Sequence, residues 1–138
     1  LKIIGEGPYL KTLKNRYSDK SVQFLGSIKN EKVYDIIKNS KAVVTATKLY
    51  EGQPTLLCEA SLQGIPSIFP NTGGISEFFP KDYDFSFEQF NYKDLENKIL
   101  LMNKVPSMQK IGSKNESYLK DLLNKNNLLQ KFEHIIDE

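Results

Sequence analysis

Up to about residue 104, short apolar, β-rich runs alternate with helix-like stretches, and glycines or prolines punctuate the joins. Leu1-Lys2-Ile3-Ile4 ends at Gly5-Glu6-Gly7-Pro8, and the run over residues 22–25 stops at Gly26. Residues 42–46 form a third run. Residues 67–69 form a fourth between Pro66 and Pro70, followed by Asn71-Thr72-Gly73-Gly74, and a fifth spans residues 85–87. Between them, Leu10, Leu13 and Tyr17 recur at helical spacing, as do Val33, Ile36 and Ile37, and also Leu95, Ile99 and Met102. Leu56, Leu57, Ala60 and Leu62 mark a further helix. Parallel neighbours need a crossover of roughly a dozen residues or more, usually a helix. The alternation therefore predicts an α/β domain, a parallel sheet flanked by helices.

Local signals set the expected boundaries. Pro8 suits the opening of the first helix, where its missing N–H costs nothing. Asn30 suits the N-cap of the second. Pro54 opens the third, and Gly64 closes it as a C′ residue. Beyond Pro106 the strand signal ends. Residues 108–124 and 128–136 read as two amphipathic helices separated by Lys125-Asn126-Asn127. The expected organisation is one α/β domain over residues 1–104 followed by C-terminal helices over residues 105–138.

Composition removes several function classes. At 138 residues, with 39% hydrophobic and 26% charged positions, the chain reads as globular rather than disordered. The net charge is +2, lysines and acids are interleaved, and Arg16 is the single arginine, so nucleic acid is not the expected partner. No apolar run approaches the ~20 residues that cross a bilayer. The opening residues lack a charged n-region before an apolar one, unlike a signal peptide. They also lack an initiator Met and open on a strand-like run, which reads as the cut end of something longer. Cys58 is the sole cysteine, which excludes an intrachain disulfide and permits a reduced, cytoplasmic compartment.

In an open α/β sheet, ligands bind outside the carboxyl ends of the strands. That rule gathers the loops over residues 5–8, 47–54 and 71–74 on one rim. The middle loop, Glu51-Gly52-Gln53-Pro54-Thr55, leads into a helix whose first amides lack intrahelical partners. Those amides and the helix dipole suit an anion such as a diphosphate. Glu59 lies four residues after Thr55, on the same face, and helical side chains lean toward the N-terminus, back to the rim. A carboxylate buried among Leu56, Leu57 and Ala60 needs donors, and a ribose diol supplies two hydroxyls at once. Glu51, in the loop before the helix, would face the sugar end of such a ligand. Two glutamates at arbitrary spacing are by default solvated acids; here their context argues otherwise.

Glu51-Gly52-Gln53-Pro54-Thr55-Leu56-Leu57-Cys58-Glu59-Ala60, then Gly64-Ile65-Pro66 and Gly73-Gly74-Ile75-Ser76-Glu77, resembles family 4 of the retaining glycosyltransferases. Leu1-Lys2-Ile3-Ile4-Gly5-Glu6-Gly7-Pro8 and Phe24-Leu25-Gly26-Ser27-Ile28 match two further stretches of that family in the right order. The resemblance implies a GT-B fold, two Rossmann-like domains across a cleft, with this chain as the C-terminal, donor-binding half. It implies that Glu51 is the catalytic-site acid that binds the transferred sugar, and that Glu59 binds the ribose. The backbone around Gly52, Gln53, Thr55 and Leu56 would hold the sugar or diphosphate. Ile28 would meet the base through its main chain, and Gly73 and Gly74 would let backbone approach the cleft. The implied activity is retaining transfer of a hexose-type sugar from a nucleotide-diphospho-sugar to a glycan, lipid-linked or small-molecule acceptor, without metal or other cofactor. Polysaccharide or cell-envelope synthesis in the cytoplasm, or at the inner face of the membrane with peripheral association, is the implied setting.

The chain departs from the family pattern in places. Thr47-Lys48 stands where Pro-Ser is common, and Gln53 where an aromatic residue is common. The family's leading strand, the basic pair after it and the acceptor-binding N-terminal domain have no match. The missing strand belongs mid-sheet in that pattern, so the 138 residues alone are expected to expose strand edges and to be unstable or self-associated unless an upstream segment fills the gap. The rival expectation is a non-catalytic GT-B homologue serving as a partner subunit.

Weaker features complete the reading. Asp82-Tyr83-Asp84 spells Asp-x-Asp but follows Pro80-Lys81 rather than an apolar strand, so a turn is expected there. His134 has no nucleophile partner in view, and Cys58 is expected to pack as a small hydrophobe. Leu119, Leu122 and Leu123 read as a docking face before a membrane anchor.

Overall fold

The computed structural model describes residues 1–17, 19 and 21–136. Its elements run β1 (Lys2–Ile4), α1 (Leu10–Arg16), β2 (Gln23–Gly26), α2 (Asn30–Lys38), β3 (Val43–Val44), α3 (Thr55–Leu62), β4 (Ser67–Asn71), a 3-10 turn (Ile75–Phe78), β5 (Ser86–Glu88), α4 (Tyr92–Asn103), α5 (Met108–Leu122) and α6 (Lys125–Ile136). Every strand pairing is parallel, as the alternation predicts. The chain divides into two compact units, Leu1–Ile36 and Ile37–Glu138.

In the first unit β1 pairs with β2, Lys2 opposite Gln23 and Ile3 opposite Phe24, with the register slipping before Ile4 meets Gly26. Gly26 takes a φ of 68° and its carbonyl accepts the Gly5 N–H at 2.8 Å. α1 begins at Leu10, later than Pro8 suggests. The Leu10 N–H bonds the Gly7 carbonyl at 3.1 Å, so Pro8 occupies the second position of a turn, where its fixed φ is equally at home. Asn30 is likewise inside α2 rather than capping it: the Lys29 carbonyl accepts from both Lys32 and Val33, so the helix already starts there.

In the second unit the strand order is β3-β4-β5. β4 runs through Pro70, which the sequence reading takes as its end. Pro66 and Ile68 turn their carbonyls to β3, and the Phe69 N–H turns to β5. By this alternation the nitrogen of Pro70 points to the β3 side, beyond the last ladder bond, from Thr45 to Ile68. The missing N–H therefore ends the β3–β4 ladder there rather than interrupting it, while Pro70 stays paired with Phe87 of β5.

β4 is buried on both faces, which is why its sequence is a continuous apolar run rather than an alternation. Phe69 packs with Leu57 of α3, Ile75 and Phe79. Ile68 packs with Phe85, Phe87 and Met102 of α4. Helices thus cover the sheet on both sides, the three-layer arrangement expected. Tyr83 joins the two clusters. Its ring lies 4.8 Å from Phe79 and 5.6 Å from Phe85, and its hydroxyl donates to the Ser67 carbonyl and accepts the Ser67 N–H.

α3 ends as predicted. Gly64 has a φ of 68°, the Ile65 N–H returns to the Ala60 carbonyl, and the Gly64 N–H to that of Ser61. α5 crosses this end with backbone against backbone: a Cβ on Gly112 would stand 1.7 Å from the Gly64 carbonyl oxygen. Leu119 is therefore core rather than docking face, while Leu122 is half-buried and Leu123 exposed. Lys125-Asn126-Asn127 is the first turn of α6, not a separator. The Asn124 side chain accepts from the amides of Asn126 and Asn127, and so acts as its cap.

Candidate functional site

Because β3 and β4 are parallel neighbours, the loops that leave them emerge on the same rim. The β4 loop sits directly on the β3 loop. The Gly74 N–H donates to the Glu51 carbonyl at 2.9 Å. Gly73 has a φ of 57°, and a Cβ there would stand 2.1 Å from that same carbonyl oxygen. A Cβ on Gly74 would meet the Gly52 carbonyl at 3.4 Å. Gly73 is required by the approach to Glu51 itself, whereas a Cβ on Gly74 would make only an ordinary contact. Sequence reasoning places them at the cleft; their grip on the acidic loop comes from pairing between distant segments.

The Glu51 side chain is half-buried, and Thr47 Oγ1 donates to its Oε1 at 3.4 Å. Leu49 N–H in turn donates to Thr47 Oγ1 at 3.1 Å. Leu49 and Tyr50 project into solvent just before Glu51, Tyr50 with 85% of its surface exposed.

Pro54 precedes α3, and its carbonyl accepts from Leu57 and Cys58. No side chain caps the helix, and among the described residues the amides of Thr55 and Leu56 have no hydrogen-bond acceptor. These are two N–H groups at a helix start facing the rim, the arrangement that favours an anion. The buried Cys58 thiol is pushed up by its burial, and Gln53 beside it pulls it partly back. It packs as the small hydrophobe expected.

Glu59 stands on α3 one turn after Thr55. It is half-buried rather than buried, because Leu56 lies on the exposed side of the helix and only Leu57 and Ala60 are in the core. Among the described residues no hydrogen bond or ion pair holds its carboxylate. Glu51, Gly52, Gln53, Thr55, Leu56, Gly73 and Gly74 thus lie together in the second unit, with Glu59 a turn along the same helix. Ile28 follows β2 in the first unit and is half-buried.

Residues 1–130 match the sequence profile of glycosyl transferases group 1. The chain belongs to this family. The chain is 30% identical over 97 residues to the GPI3 subunit of phosphatidylinositol N-acetylglucosaminyltransferase from Saccharomyces cerevisiae. That match covers 67% of this chain and 21% of the relative, so the chain spans about a fifth of the length of that protein. Among solved structures, Anabaena HepE in complex with UDP and glucose aligns over 99% of this chain and 40% of its own, with a TM-score of 0.78 and 17% identity. Sucrose-phosphate synthase from Thermosynechococcus elongatus aligns over 99% of this chain and 37% of its own, with a TM-score of 0.78 and 18% identity. The group 1 chain thus has the α/β architecture of a GT-B C-terminal domain.

The remaining acids take other roles. Asp82 lies in a turn and pairs with Lys114 of α5, a contact that holds its carboxyl below the usual range. Among the described residues, no group of three or more His, Cys, Asp or Glu side chains converges as a metal site would require. His134 lines a groove between α5 and α6 with Tyr118, Asp121 and Asn127. No described helix is long and apolar enough to cross a membrane.

Proposed function

We propose that the second unit carries the donor site of a retaining glycosyltransferase that uses a nucleotide-diphospho-sugar. The observation that carries this reading is the convergence of Glu51 with the unpartnered amides of Thr55 and Leu56 on one rim, and with the open carboxylate of Glu59 one turn away. The amides and dipole of α3 take the diphosphate and stabilise charge on it as the glycosidic bond to the sugar breaks. Glu59 accepts from the ribose hydroxyls, and Glu51 accepts from hydroxyls of the transferred sugar. Gly52 and Gln53 border the same ligand through their backbone, and Gly73 and Gly74 hold the rim. The UDP bound to HepE supports a nucleotide as the ligand class. The helix start supplies positive potential without a metal, so transfer is metal-independent on this reading. Acceptor binding falls to a facing N-terminal domain of the whole protein, and the name of the yeast relative supports a lipid-linked acceptor among the candidates.

The test is steady-state kinetics on the full-length protein that contains this chain. Glu59 touches a part of the donor that the reaction leaves unchanged, so Glu59→Ala weakens ground and transition states alike. It raises donor KM with little change in kcat. A hydrogen bond to a charged group contributes about 1.5–3 kcal/mol, which corresponds to roughly 10- to 100-fold in kcat/KM. Glu51→Ala instead lowers kcat, while affinity for the bare nucleoside diphosphate survives. If both substitutions are silent the donor site lies elsewhere. If the full-length protein releases no nucleoside diphosphate from any donor, the chain serves as a non-catalytic partner subunit. Complete, metal-reversible loss of transfer on adding chelator would overturn metal independence.

A further inference from the structure

The backbone and the carboxylate of Glu51 are held by different parts of the molecule. Gly73 and Gly74 fix the Glu51 carbonyl, as described above, but they do not touch its carboxylate. The hydroxyl of Thr47 is the one described group that does, at 3.4 Å from Oε1. Its direction is determined by its other bond. The Leu49 N–H donates to Thr47 Oγ1 at 3.1 Å, which occupies a lone pair of the hydroxyl. A carboxylate can only accept, so the Thr47 proton is directed at Glu51.

We propose that Thr47 is a positioning residue for transfer: its hydroxyl holds the Glu51 carboxylate in the rotamer that meets the sugar. This rests on the assignment of Glu51 to the donor sugar given above. The 3.4 Å separation is longer than the roughly 2.5–3.0 Å of a fully formed hydroxyl bond. Such bonds are commonly long in unliganded sites and tighten when substrate seats. Without the hydroxyl, the half-buried Glu51 side chain is free to swing toward water, and orientation is lost while the diphosphate contacts of α3 are untouched. A residue of this kind acts on kcat rather than on nucleotide affinity. The Leu49 bond also explains why the hydroxyl sits four residues before the acid: the turn it closes brings Thr47 back over Glu51.

The experiment uses the full-length protein containing this chain. Nucleoside diphosphate release is followed with whichever of UDP-glucose, UDP-N-acetylglucosamine and GDP-mannose it turns over fastest. Thr47→Val keeps the shape and removes the hydroxyl. It is expected to lower kcat about tenfold, with nucleoside diphosphate affinity within about twofold of the parent. Thr47→Ser keeps the hydroxyl and is expected to restore kcat. Because Thr47 acts through Glu51, the double variant Thr47→Val/Glu51→Ala should be no slower than Glu51→Ala alone. A silent Thr47→Val beside a slow Glu51→Ala would overturn this role and leave the Glu51 assignment standing. A Thr47→Val that weakens nucleotide binding and lowers Tm, with losses that add to those of Glu51→Ala, would show a general loop role and overturn it as well. A silent Glu51→Ala would remove the donor-site assignment and this inference with it.

Discussion

The two units use the same strand–helix vocabulary and end up very differently packed. Among the described residues, all of the buried hydrophobic core lies between Ile37 and Leu119. In residues 1–36, α1 has no buried residue, and Tyr9, Leu13 and Tyr17 remain exposed along it. The first unit has a two-stranded sheet; the second has three strands, with β4 covered on both faces. Two strands with one or two helices close few residues away from water, whereas a third strand creates a central one, here buried from Ser67 to Pro70. The candidate acids stand at the end of the well-packed unit, where a carboxylate can be held in place. The same residue types on the first unit's loops would have less to hold them.

The largest expected effect tests this contrast at its centre. Phe69 stacks 4.3 Å from Phe79 and 5.7 Å from Tyr83, and is almost wholly buried. Phe69→Ala should cost about 3–5 kcal/mol of unfolding free energy, measured in urea on the full-length protein that contains this chain. A smaller loss would mean that the second unit is not the stabilising one.

A pH titration reads the same core differently. Burial raises the Tyr83 hydroxyl to about 12, opposed by its bonds to the Ser67 backbone. A raised folded pKa means that the unfolded chain loses this proton first. The contribution of neutral Tyr83 is therefore complete below about pH 10 and disappears as pH rises toward 12, in total about 2–3 kcal/mol. In Tyr83→Phe that alkaline decline should flatten; an unchanged slope would place its origin in other groups.

Gly112→Ala comes next. With a Cβ at 1.7 Å from the Gly64 oxygen, α5 must lift from α3, at about 1–3 kcal/mol. The shift should register at the rim too, because α3 carries Glu59. A variant as stable as the parent would show that this helix crossing yields easily.

The smallest effect belongs to the first unit. Leu13 is 38% exposed, and Leu13→Ala should change unfolding by less than about 1 kcal/mol. A loss approaching that of Phe69→Ala would erase the distinction between the units.

Much of this was legible in the residue order. The α/β class follows from the alternation of apolar runs, and the end of α3 from Gly64, because both are consequences of local conformational preference. Glu51 and Glu59 stand out by their place around a helix start together with the family resemblance of the segment that holds them. Their positions relative to that start are a matter of helical geometry, which needs no partner. Tertiary structure decided what depends on neighbours distant in sequence. Pro70 stays within β4 because its nitrogen faces the end of the β3 ladder while β5 goes on pairing with it. Glu59 is half-buried because α3 turns Leu56 outward when Leu57 docks on Phe69. Gly73 is required by the Glu51 carbonyl, twenty-two positions earlier in the numbering. Gly112 is required by Gly64, on a helix that the sequence presents merely as amphipathic. A sequence fixes which conformations each short segment prefers, but the closest approaches are set only when segments pack at interior density, where a single added methyl group has nowhere to go.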